Sequence, residues 1–318
     1  MKHLILIGAC YLDTILTVPE FPEEDSKLRA TSLKVRRGGN CPNTLEVLQQ
    51  LISTGPSCQS VKLRPHLISC LPSASATATR NILSSFGENP LVDFTRCLYR
   101  EKYDEPASSY IIRSEKTGSR TIVNFNDLPE MTAGEFQEIV PAFSSEYSDG
   151  NETWWHFEGR IPETTLQCIR HLRQVTPKSR ISVEVEKPNR EGLVEIAAEA
   201  DVVFYSKTWA ESRGYNSPEA CLRGEAKSSR ASLMFCTWGA GGAGVLRLSG
   251  GGEYFHVPAI PTGQQISVVD TIGAGDTFIA GALYALHIEG WGLEAKLAFA
   301  VGLATTKVQK EGFADLTR

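Results

Sequence analysis

The sequence predicts an α/β fold in which a mostly parallel central sheet lies between layers of helices. Short apolar segments that suit strands alternate with longer segments that suit helices along the 318 residues, as in chains that build parallel sheets. The strand-like segments are apolar on both faces, which suits a sheet that is covered on both sides. A hydrophobic content of 42% supplies enough apolar side chains for a large core.

Six core strands and seven helices are predicted, and they alternate until the last third of the chain, where two helices follow each other. The strands are residues 4–9, 66–71, 154–158, 181–186, 202–206 and 233–237. The helices lie near residues 43–51, 76–86, 162–175, 190–198, 218–230, 276–287 and 293–310. Residues 53–65 form a polar, loop-like insertion to which no role is assigned.

Two further segments, residues 18–37 and 109–125, alternate polar and apolar side chains without a helical period. The second segment carries a turn signal at Lys116, Thr117 and Gly118, which is typical of a hairpin. Because both segments are inserted between core elements, we expect them to form one small β-sheet over the main domain.

The composition limits the partners and the location of the protein. A net charge of −5 provides no basic surface for nucleic acid or anionic membranes. No apolar run approaches the roughly 18 residues of a membrane span. Asp13 interrupts the apolar N-terminal segment early, which argues against a signal peptide. The eight cysteines show no C-x-x-C pair and no metal-ligand spacing with histidine, so we expect reduced thiols in a cytoplasmic protein.

The segment D-T-I-G-A-G-D at residues 270–276 is followed by an apolar run that suits a buried helix. The unpaired N–H groups and the positive dipole end at a helix start attract anions. Gly273, Ala274 and Gly275 would supply those N–H groups, and glycine lets the backbone approach a phosphate closely. Asp276 is then placed to accept the proton of a hydroxyl group that attacks a phosphoryl group. For G-A-G-D alone, the alternative is a loop with an Asp helix cap.

A second group of polar residues suits a ligand with many hydroxyl groups. Gly39 and Asn40 open a predicted helix, and Asn43 lies on the same helical face three residues later. Asp13 follows the first strand, and Asp25 lies in the first segment of the small sheet. Together these side chains offer the donors and acceptors that a sugar needs. Taken one by one, a helix cap at Asn40 and a surface position for Asp25 are the simpler alternative.

Residues 238–244, with the sequence W-G-A-G-G-A-G, contain a formal G-x-G-x-x-G after a predicted strand. In a dinucleotide-binding fold this motif opens a helix, whereas residues 245–248 and 254–257 continue here with strand-like alternation. Hydride transfer is therefore disfavoured. The sequence also lacks G-x-x-x-x-G-K-[ST], so it is not a P-loop kinase.

The complete string D-T-x-G-A-G-D-x-F at residues 270–278 resembles the signature of the ribokinase-like (PfkB) family of sugar and nucleoside kinases. The resemblance implies a ribokinase-like three-layer sandwich with a small β-sheet lid, a single kinase domain over residues 1–318, and ATP with Mg²⁺ as cofactors. It also implies that Asp276 is the catalytic base and that residues 273–275 form the anion hole. The nucleotide site would be lined by Trp238, Gly239, Gly241, Gly242, Gly244, Gly273 and Gly275.

Within that family, the chain is similar to the ketohexokinases at residues 24–26, 37–40, 118–122, 156–160 and 183–188. This similarity implies that Arg120 reaches from the lid toward the transferring phosphate. It also implies that D-fructose is phosphorylated at O1. A family kinase for a pentose, a nucleoside or a sugar acid is the alternative, and the intact Asp276 disfavours a non-catalytic binding relative. The residues that would bind the ketose hydroxyl groups are Asp13, Asp25, Gly39, Asn40 and Asn43.

Two further expectations concern the metal and the oligomeric state. Family members commonly carry N-x-x-E after a core strand, but residues 206–211 read S-K-T-W-A-E and lack the Asn. Glu184 and Glu186 are therefore the candidates for organising Mg²⁺ through water, against a structural role at the strand end. A homodimer through the lids is expected, because an open β layer with an apolar face commonly finds a partner. The apolar lid side chains are Leu28, Leu33, Val35, Ile112 and Ile122.

Overall fold

The computed structural model describes residues 2–145, 152–260 and 265–317. Within those ranges the chain forms fourteen strands and nine α-helices, numbered in chain order. The strands are β1 (Lys2–Ile7), β2 (Tyr11–Val18), β3 (Ser32–Gly38), β4 (Leu63–Ile68), β5 (Cys70–Pro72), β6 (Leu98–Arg100), β7 (Ala107–Ser114), β8 (Arg120–Phe125), β9 (Glu152–Phe157), β10 (Arg180–Val185), β11 (Val202–Tyr205), β12 (Leu233–Thr237), β13 (Ala243–Arg247) and β14 (Glu253–Val257). The helices are α1 (Asn40–Thr54), α2 (Thr77–Ser84), α3 (Ala133–Ser145), α4 (Pro162–Val175), α5 (Leu193–Glu199), α6 (Lys207–Ser212), α7 (Pro218–Glu225), α8 (Ala274–Ala285) and α9 (Leu293–Val308).

Eight strands form one large sheet in the order β14-β13-β12-β11-β10-β9-β1-β4. The six strands from β12 to β4 are parallel, and β13 and β14 add an antiparallel hairpin at one edge. This confirms the predicted mostly parallel sheet. In β1, Leu4 and Leu6 are buried in one core cluster, and Ile5 and Ile7 are buried in the other. Since successive side chains of a strand point to opposite faces, both faces of the sheet are covered.

The helices cover the two faces of the large sheet and complete a three-layer sandwich, as predicted. Helices α1, α2, α8 and α9 contribute buried residues to the cluster around Leu4, and α3 to α7 contribute to the cluster around Ile5. The seven predicted helices are present, whereas α3 and α6 were not predicted. Pro141 lies inside α3 and interrupts its helical pattern, and α6 has only six residues.

Helix α8 begins at the glycine-rich turn that contains Gly273, and it carries Asp276. Every residue from Asp276 to Ala285 is buried. Gly281 lets α8 approach α9 closely, since a Cβ atom there would lie 2.9 Å from the Cα atom of Ala300. No helix in the described ranges has both the length and the apolar character that crossing a membrane requires.

A second sheet has four strands in the order β3-β2-β7-β8, and β7 and β8 pair as the predicted hairpin. The predicted bounds of this sheet need correction, because β2 starts at Tyr11 and residues 19–31 lie outside its strands. Pro19 and Pro22 have no N–H group for a strand ladder, and Asp25 adopts a positive φ of 61°. The first predicted segment, residues 18–37, thus contains only the end of β2, a long connection and most of β3.

Candidate active site

A cavity of about 460 Å³ lies at the carboxyl ends of the parallel strands, between the large and the small sheet. Ligands of open α/β sheets commonly bind at this edge. The residues around it come from positions as far apart in the sequence as 11 and 279. We name it the acceptor cavity. The predicted site residues that line it are Asp13, Gly39, Asn40, Asn43, Arg120, Glu184, Glu186, Gly273, Gly275 and Asp276.

Gly273, Ala274 and Gly275, the residues of the predicted anion hole, lie at the start of α8, and we name residues 271–275 the anion-hole turn. Gly273 caps the helix with a φ of 78°, and a Cβ atom there would lie 2.2 Å from Cζ of Phe313, so only glycine fits. Gly275 lies in the first helical turn, where backbone N–H groups have no acceptor within the helix. A Cβ atom on Gly275 would meet nothing within 4 Å, so the space beside its Cα atom is open. The Ala274 N–H group donates to the carbonyl of Thr271 at 3.3 Å.

Asp276 is buried at the junction of α8 and α1. The Asn43 side-chain amide donates to Oδ2 of Asp276 at 2.8 Å, and Nη1 of Arg37 donates to Oδ1 of Asn43 at 3.0 Å. The Thr44 hydroxyl donates to the backbone carbonyl of Asp276 at 3.2 Å. Burial, together with the charge of Glu184, raises the pKa of Asp276 well above its usual range against the effect of the Asn43 bond. A carboxylate with a raised pKa is a stronger base.

A chain of hydrogen bonds leads from Asn40 into the core. The Asn40 amide donates to Oε2 of Glu184 at 2.7 Å and to Oε2 of Glu186 at 3.1 Å. Nε2 of His156 lies 3.0 Å from Oε1 of Glu184, and Nδ1 of His156 lies 2.8 Å from the Ser182 hydroxyl oxygen. Asn40 and Asn43 both line the acceptor cavity, and their side-chain amides donate to carboxylates, that of Asn40 to Glu184 and Glu186 and that of Asn43 to Asp276.

Within the described ranges, five acidic and four basic residues line the acceptor cavity, and two of the acidic residues besides Asp276 have strongly raised pKa values. Burial raises the pKa of Glu184 to about 8, and burial followed by the charge of Glu184 raises the pKa of Glu158 to about 7. Burial lowers the pKa of His156 to about 3, so this imidazole is neutral and adds no positive charge. The raised pKa values show that the fold does not stabilise these carboxylates in their charged form, so their oxygens would fit a hard divalent cation such as Mg²⁺ that takes the place of the protons.

Two side chains of the small sheet also face the acceptor cavity. Asp13 on β2 is buried, and burial raises its pKa against the opposing effects of Ser109 and Arg36. Arg120 begins β8, and its Nη1 lies 3.5 Å from the hydroxyl of Thr271 in the anion-hole turn. The structure does not bring Asp25 to this group, because Asp25 is exposed on the connection between β2 and β3 and does not line the cavity.

A second cavity of about 390 Å³ adjoins the first, and we name it the nucleotide cavity. Its lining is largely apolar, with Val268, Val301 and Val308 among its side chains, and Gly239 and Gly242 contribute backbone. The residues that line both cavities are Thr237, Thr271, Gly275 and Phe278. The anion-hole turn is therefore the place where the polar and the apolar cavity meet.

Four of the predicted nucleotide-site residues do not line the nucleotide cavity, and one of them, Gly273, lines the acceptor cavity instead. Trp238 packs beside the core cluster around Ile5, with Nζ of Lys207 5.8 Å from the ring centroid. Gly241 lies in a short 3₁₀ turn, and Gly244 lies in β13, where a Cβ atom would meet the Tyr254 hydroxyl at 2.7 Å. Since residues 243–247 form a strand rather than a helix, the dinucleotide-binding alternative is excluded.

Several charged residues of the acceptor cavity were not predicted from the sequence. Glu158 follows β9, and its Oε2 accepts a hydrogen bond of 2.9 Å from the Ala9 N–H group. Arg160 pairs with Glu130 at 2.7 Å, and its guanidinium lies 5.3 Å from the Tyr11 ring centroid. Both Glu158 and Arg160 could have been predicted from the charged residues that directly follow each core strand.

The metal candidates differ in their surroundings. Glu186 lies nearer the solvent and pairs with Lys187 at 2.8 Å, while Glu184 is buried. Glu211, which occupies the position of the family's acid, pairs with Lys207 at 3.5 Å and does not line the cavity. Ligand atoms of Cys41, His156 and Glu184 lie within 4.8 Å of one another. Burial raises the pKa of the Cys41 thiol well above its usual range, and a thiol does not suit Mg²⁺.

Comparisons with known proteins agree over nearly the whole chain. Residues 1–317 match the model of the pfkB family of carbohydrate kinases. Ketohexokinase of Mus musculus is 30% identical over 322 residues, which covers 98% of this chain and 98% of the mouse protein. Ribokinase of Thermotoga maritima superposes with a TM-score of 0.74 at 18% identity, covering 100% of this chain and 96% of that chain. A nucleoside kinase of Methanocaldococcus jannaschii gives 0.69 at 19% identity, covering 100% and 95%.

The chain therefore belongs to the pfkB family of carbohydrate kinases, which are ATP-dependent phosphotransferases. The two solved structures establish the ribokinase-like fold. Within the family, the similarity to mouse ketohexokinase agrees with the narrower resemblance found in the sequence.

Proposed function

We propose that this sugar kinase transfers the γ-phosphoryl group of ATP to a ketose, and that D-fructose is phosphorylated at O1. The observation that carries the proposal is the meeting of a polar and an apolar cavity at Gly275, next to Asp276. The sugar occupies the acceptor cavity, and the nucleotide occupies the nucleotide cavity with its phosphates directed at the start of α8. The reacting hydroxyl group then lies beside Asp276.

Asp276 acts as the base in the proposed reaction. The primary hydroxyl oxygen attacks the γ-phosphorus of ATP, its proton passes to the Asp276 carboxylate, and ADP leaves. The Asn43 amide, at 2.8 Å, fixes the orientation of that carboxylate. The Gly275 N–H group and the α8 dipole stabilise the charge on the transferring group, and Arg120 approaches it from the small sheet. When bound, Mg²⁺ neutralises phosphate charge, and Glu184 and Glu186 are the residues that would hold it through water.

The small sheet is proposed as the lid of the acceptor cavity. Asp13 and Arg120 both belong to this sheet, so its movement would bring a sugar ligand and a phosphate ligand into place together. Closure of such a lid excludes the water that would otherwise hydrolyse ATP. In this proposal Asp13, Gly39, Asn40 and Asn43 bind the sugar hydroxyl groups, while Asp25 lies outside the cavity in the single chain.

More than one class of compound could be the phosphoryl acceptor. Short polar side chains such as Asp13 and Asn40 favour a free sugar. Arg160, Lys187 and Arg190 also line the acceptor cavity, and their positive charges favour a sugar acid as the second candidate. Nucleosides and pentoses should also be tested as acceptors, because the M. jannaschii relative is named a nucleoside kinase and the T. maritima relative a ribokinase.

An ADP-release screen tests the acceptor. Purified protein is incubated with ATP, Mg²⁺ and a panel that contains ketohexoses, aldohexoses, pentoses, nucleosides and sugar acids. We expect the highest kcat/KM with D-fructose, and ³¹P–¹H correlation NMR of the product should place the phosphate on O1. Turnover of a nucleoside, a pentose or a sugar acid with D-fructose inert would refute the ketose assignment and leave the kinase assignment intact.

The protein is further proposed to be a cytoplasmic homodimer that associates through the small sheets. All eight cysteines are unpaired, as in a reducing compartment. Leu33, Val35 and Val123 on β3 and β8 are 63%, 60% and 61% exposed, which leaves an apolar surface on the small sheet. Light scattering at micromolar concentration should give a dimer that Leu33→Asp dissociates, whereas Val175→Asp on α4 should not. A monomeric parent protein would refute the dimer.

A further inference from the structure

Lys307 is a fully buried lysine that lies outside both cavities and close to the anion-hole turn. Its Nζ donates to Oδ2 of Asp270 at 2.9 Å, to the backbone carbonyl of Asp270 at 3.0 Å and to the carbonyl of Lys310 at 3.4 Å. The same Nζ lies 5.4 Å from the ring centroid of Phe313. All three N–H groups of the ammonium therefore donate hydrogen bonds to oxygen atoms, which belong to Asp270 and to Lys310.

A buried ion pair gives a fold little net stability, because desolvation of both charges offsets most of their attraction. A pair of well-packed apolar side chains would hold α9 in place at least as well. The position of the pair therefore suggests a use other than stability. Asp270 is the first residue of the segment D-T-I-G-A-G-D that ends at Asp276.

Asp270 connects the ammonium group to the anion-hole turn. Its Oδ1 accepts a hydrogen bond of 2.9 Å from the Ile272 N–H group, and its Oδ2 accepts one of 3.3 Å from the Gly312 N–H group. The Val269 N–H group donates to the carbonyl of Val308 at 2.7 Å. The residue after Ile272 is Gly273, which packs directly against Phe313. The turn thus rests on the end of α9 and on the segment that follows it.

The small sheet reaches the same carboxylate. Nη1 of Arg36 on β3 lies 3.5 Å from Oδ2 of Asp270, and Lys34 on the same strand pairs with Glu311. The proposed lid, the anion-hole turn and the C-terminal segment consequently meet at one partly buried carboxylate. Although burial opposes it, the Ile272 N–H group and Lys307 hold the pKa of Asp270 below its usual range, so Asp270 is a carboxylate.

We propose that Lys307 is a positioning residue for phosphoryl transfer, which fixes Asp270 and, through Asp270, the backbone of residues 271–273 at the γ-phosphate. The inference rests on the proposed location of the anion hole and does not depend on which sugar is the acceptor. A displaced turn would move the Gly275 N–H group away from the transferring group, while the sugar-binding side chains of α1 and β2 would stay in place.

The test compares Lys307→Met, the double variant Asp270→Asn with Lys307→Met, and the control Lys296→Met on the same helix. Lys307→Met leaves the partly buried carboxylate of Asp270 without its ammonium partner, so the Tm should fall, and the double variant should regain part of that loss because the charge is removed. We expect kcat to be at least about tenfold lower in both variants at a temperature where each is folded, with the sugar KM within twofold of the parent value. Lys296→Met should keep the parental kcat.

Isothermal titration with ADP and a non-hydrolysable ATP analogue gives a readout that needs no acceptor. The parent protein should bind the analogue and ADP with a clear difference in Kd, and Lys307→Met should lose most of that difference. If Lys307→Met does not fold, the double variant carries the same test. A double variant with recovered Tm, parental kcat and unchanged nucleotide discrimination would show that the pair is only structural. A parent protein that binds ATP but turns over no sugar would refute the proposed acceptor and leave this inference standing.

Discussion

The two cavities that meet at Gly275 are built from different kinds of groups. The acceptor cavity is lined by carboxylates, amides and guanidinium groups from α1, β2, β8, β10, α8 and the segments that follow β9 and β10. The nucleotide cavity presents aliphatic side chains such as Val301 and backbone near Gly239 and Gly242. Polar side chains bind a ligand through hydrogen bonds and charge, and their identities can be read from the sequence. A surface of backbone and aliphatic groups binds a ligand through its shape, which depends on how distant segments pack.

The same contrast applies to charge. Asp13, Glu158, Glu184, Glu186 and Asp276 face the acceptor cavity, whereas no acidic residue from the described part of the chain lines the nucleotide cavity. The two ligands should therefore respond to different substitutions. Changes of polar groups should act on sugar binding and on the chemical step, and changes of shape should act on the nucleotide.

The largest effect is expected from Asp276, the proposed catalytic base. Asp276→Asn removes the base while it keeps the size of the side chain, so kcat should fall by at least about 10²-fold with Tm and ATP binding nearly unchanged. Steady-state kinetics with the acceptor from the screen measures this. The exposed Asp104→Asn is the control and should keep the parental kcat. A turnover within tenfold of the parent would remove Asp276 from the role of base.

An intermediate effect is expected from Gly275, one of the four described residues that line both cavities. Gly275→Val meets no neighbouring atom, but its branched side chain would project into the space that a phosphate needs. The ATP KM should rise, or kcat should fall, by at least about tenfold, a fraction of the effect of losing an anion-hole donor. Gly302→Val on α9, where the space is also open, is the matched control. Normal use of ATP by a folded Gly275→Val protein would refute the anion hole.

The smallest effect concerns the charge of the acceptor cavity. Burial raises the pKa of Glu184 from 4.5 to about 8, so the folded chain holds a proton that the unfolded chain releases between those values. Stability therefore falls as the pH rises through this window. In metal-free buffer, Glu184→Gln should raise Tm at pH 9 by at least about 2 °C, roughly the shift that 1 kcal/mol gives. At pH 5 the difference should vanish, and the exposed Glu211→Gln should show no such pattern. An equal Tm difference at both pH values would refute the raised pKa.

The fold could be predicted well because its signals are local. Core strands such as β1 and β10 are short apolar runs, and α8 and α9 are long enough for their pattern to be read. The small sheet was harder, because β2 pairs in parallel with β7, about a hundred residues later. Its start at Tyr11 follows from that long-range pairing and not from any local pattern.

The site was predictable where side-chain chemistry and spacing act together. The motif around Asp276 and the pair Asn40 and Asn43 lie in the acceptor cavity. The bond from Asn43 to Asp276 spans 233 residues, so its existence follows only from the packing of α1 against α8. The glycines at 239–244 show the opposite case, since residue identity alone does not tell which of them faces a cavity and which fills a strand.

The central claim is that the two cavities bind different substrates, and one kinetic comparison tests it most directly. Ala304→Phe fills space in the nucleotide cavity, and Asn40→Ala removes a polar side chain from the acceptor cavity. Ala298→Phe, on the outer side of α9, is the control for the first variant. Ala304→Phe should raise the ATP KM at least about tenfold with the sugar KM within twofold, and Asn40→Ala should do the reverse, since an unmet buried polar group costs about 1–3 kcal/mol. If both variants changed the same KM, or if Ala304→Phe left the ATP KM at the parental value, the assignment of the two cavities would be contradicted.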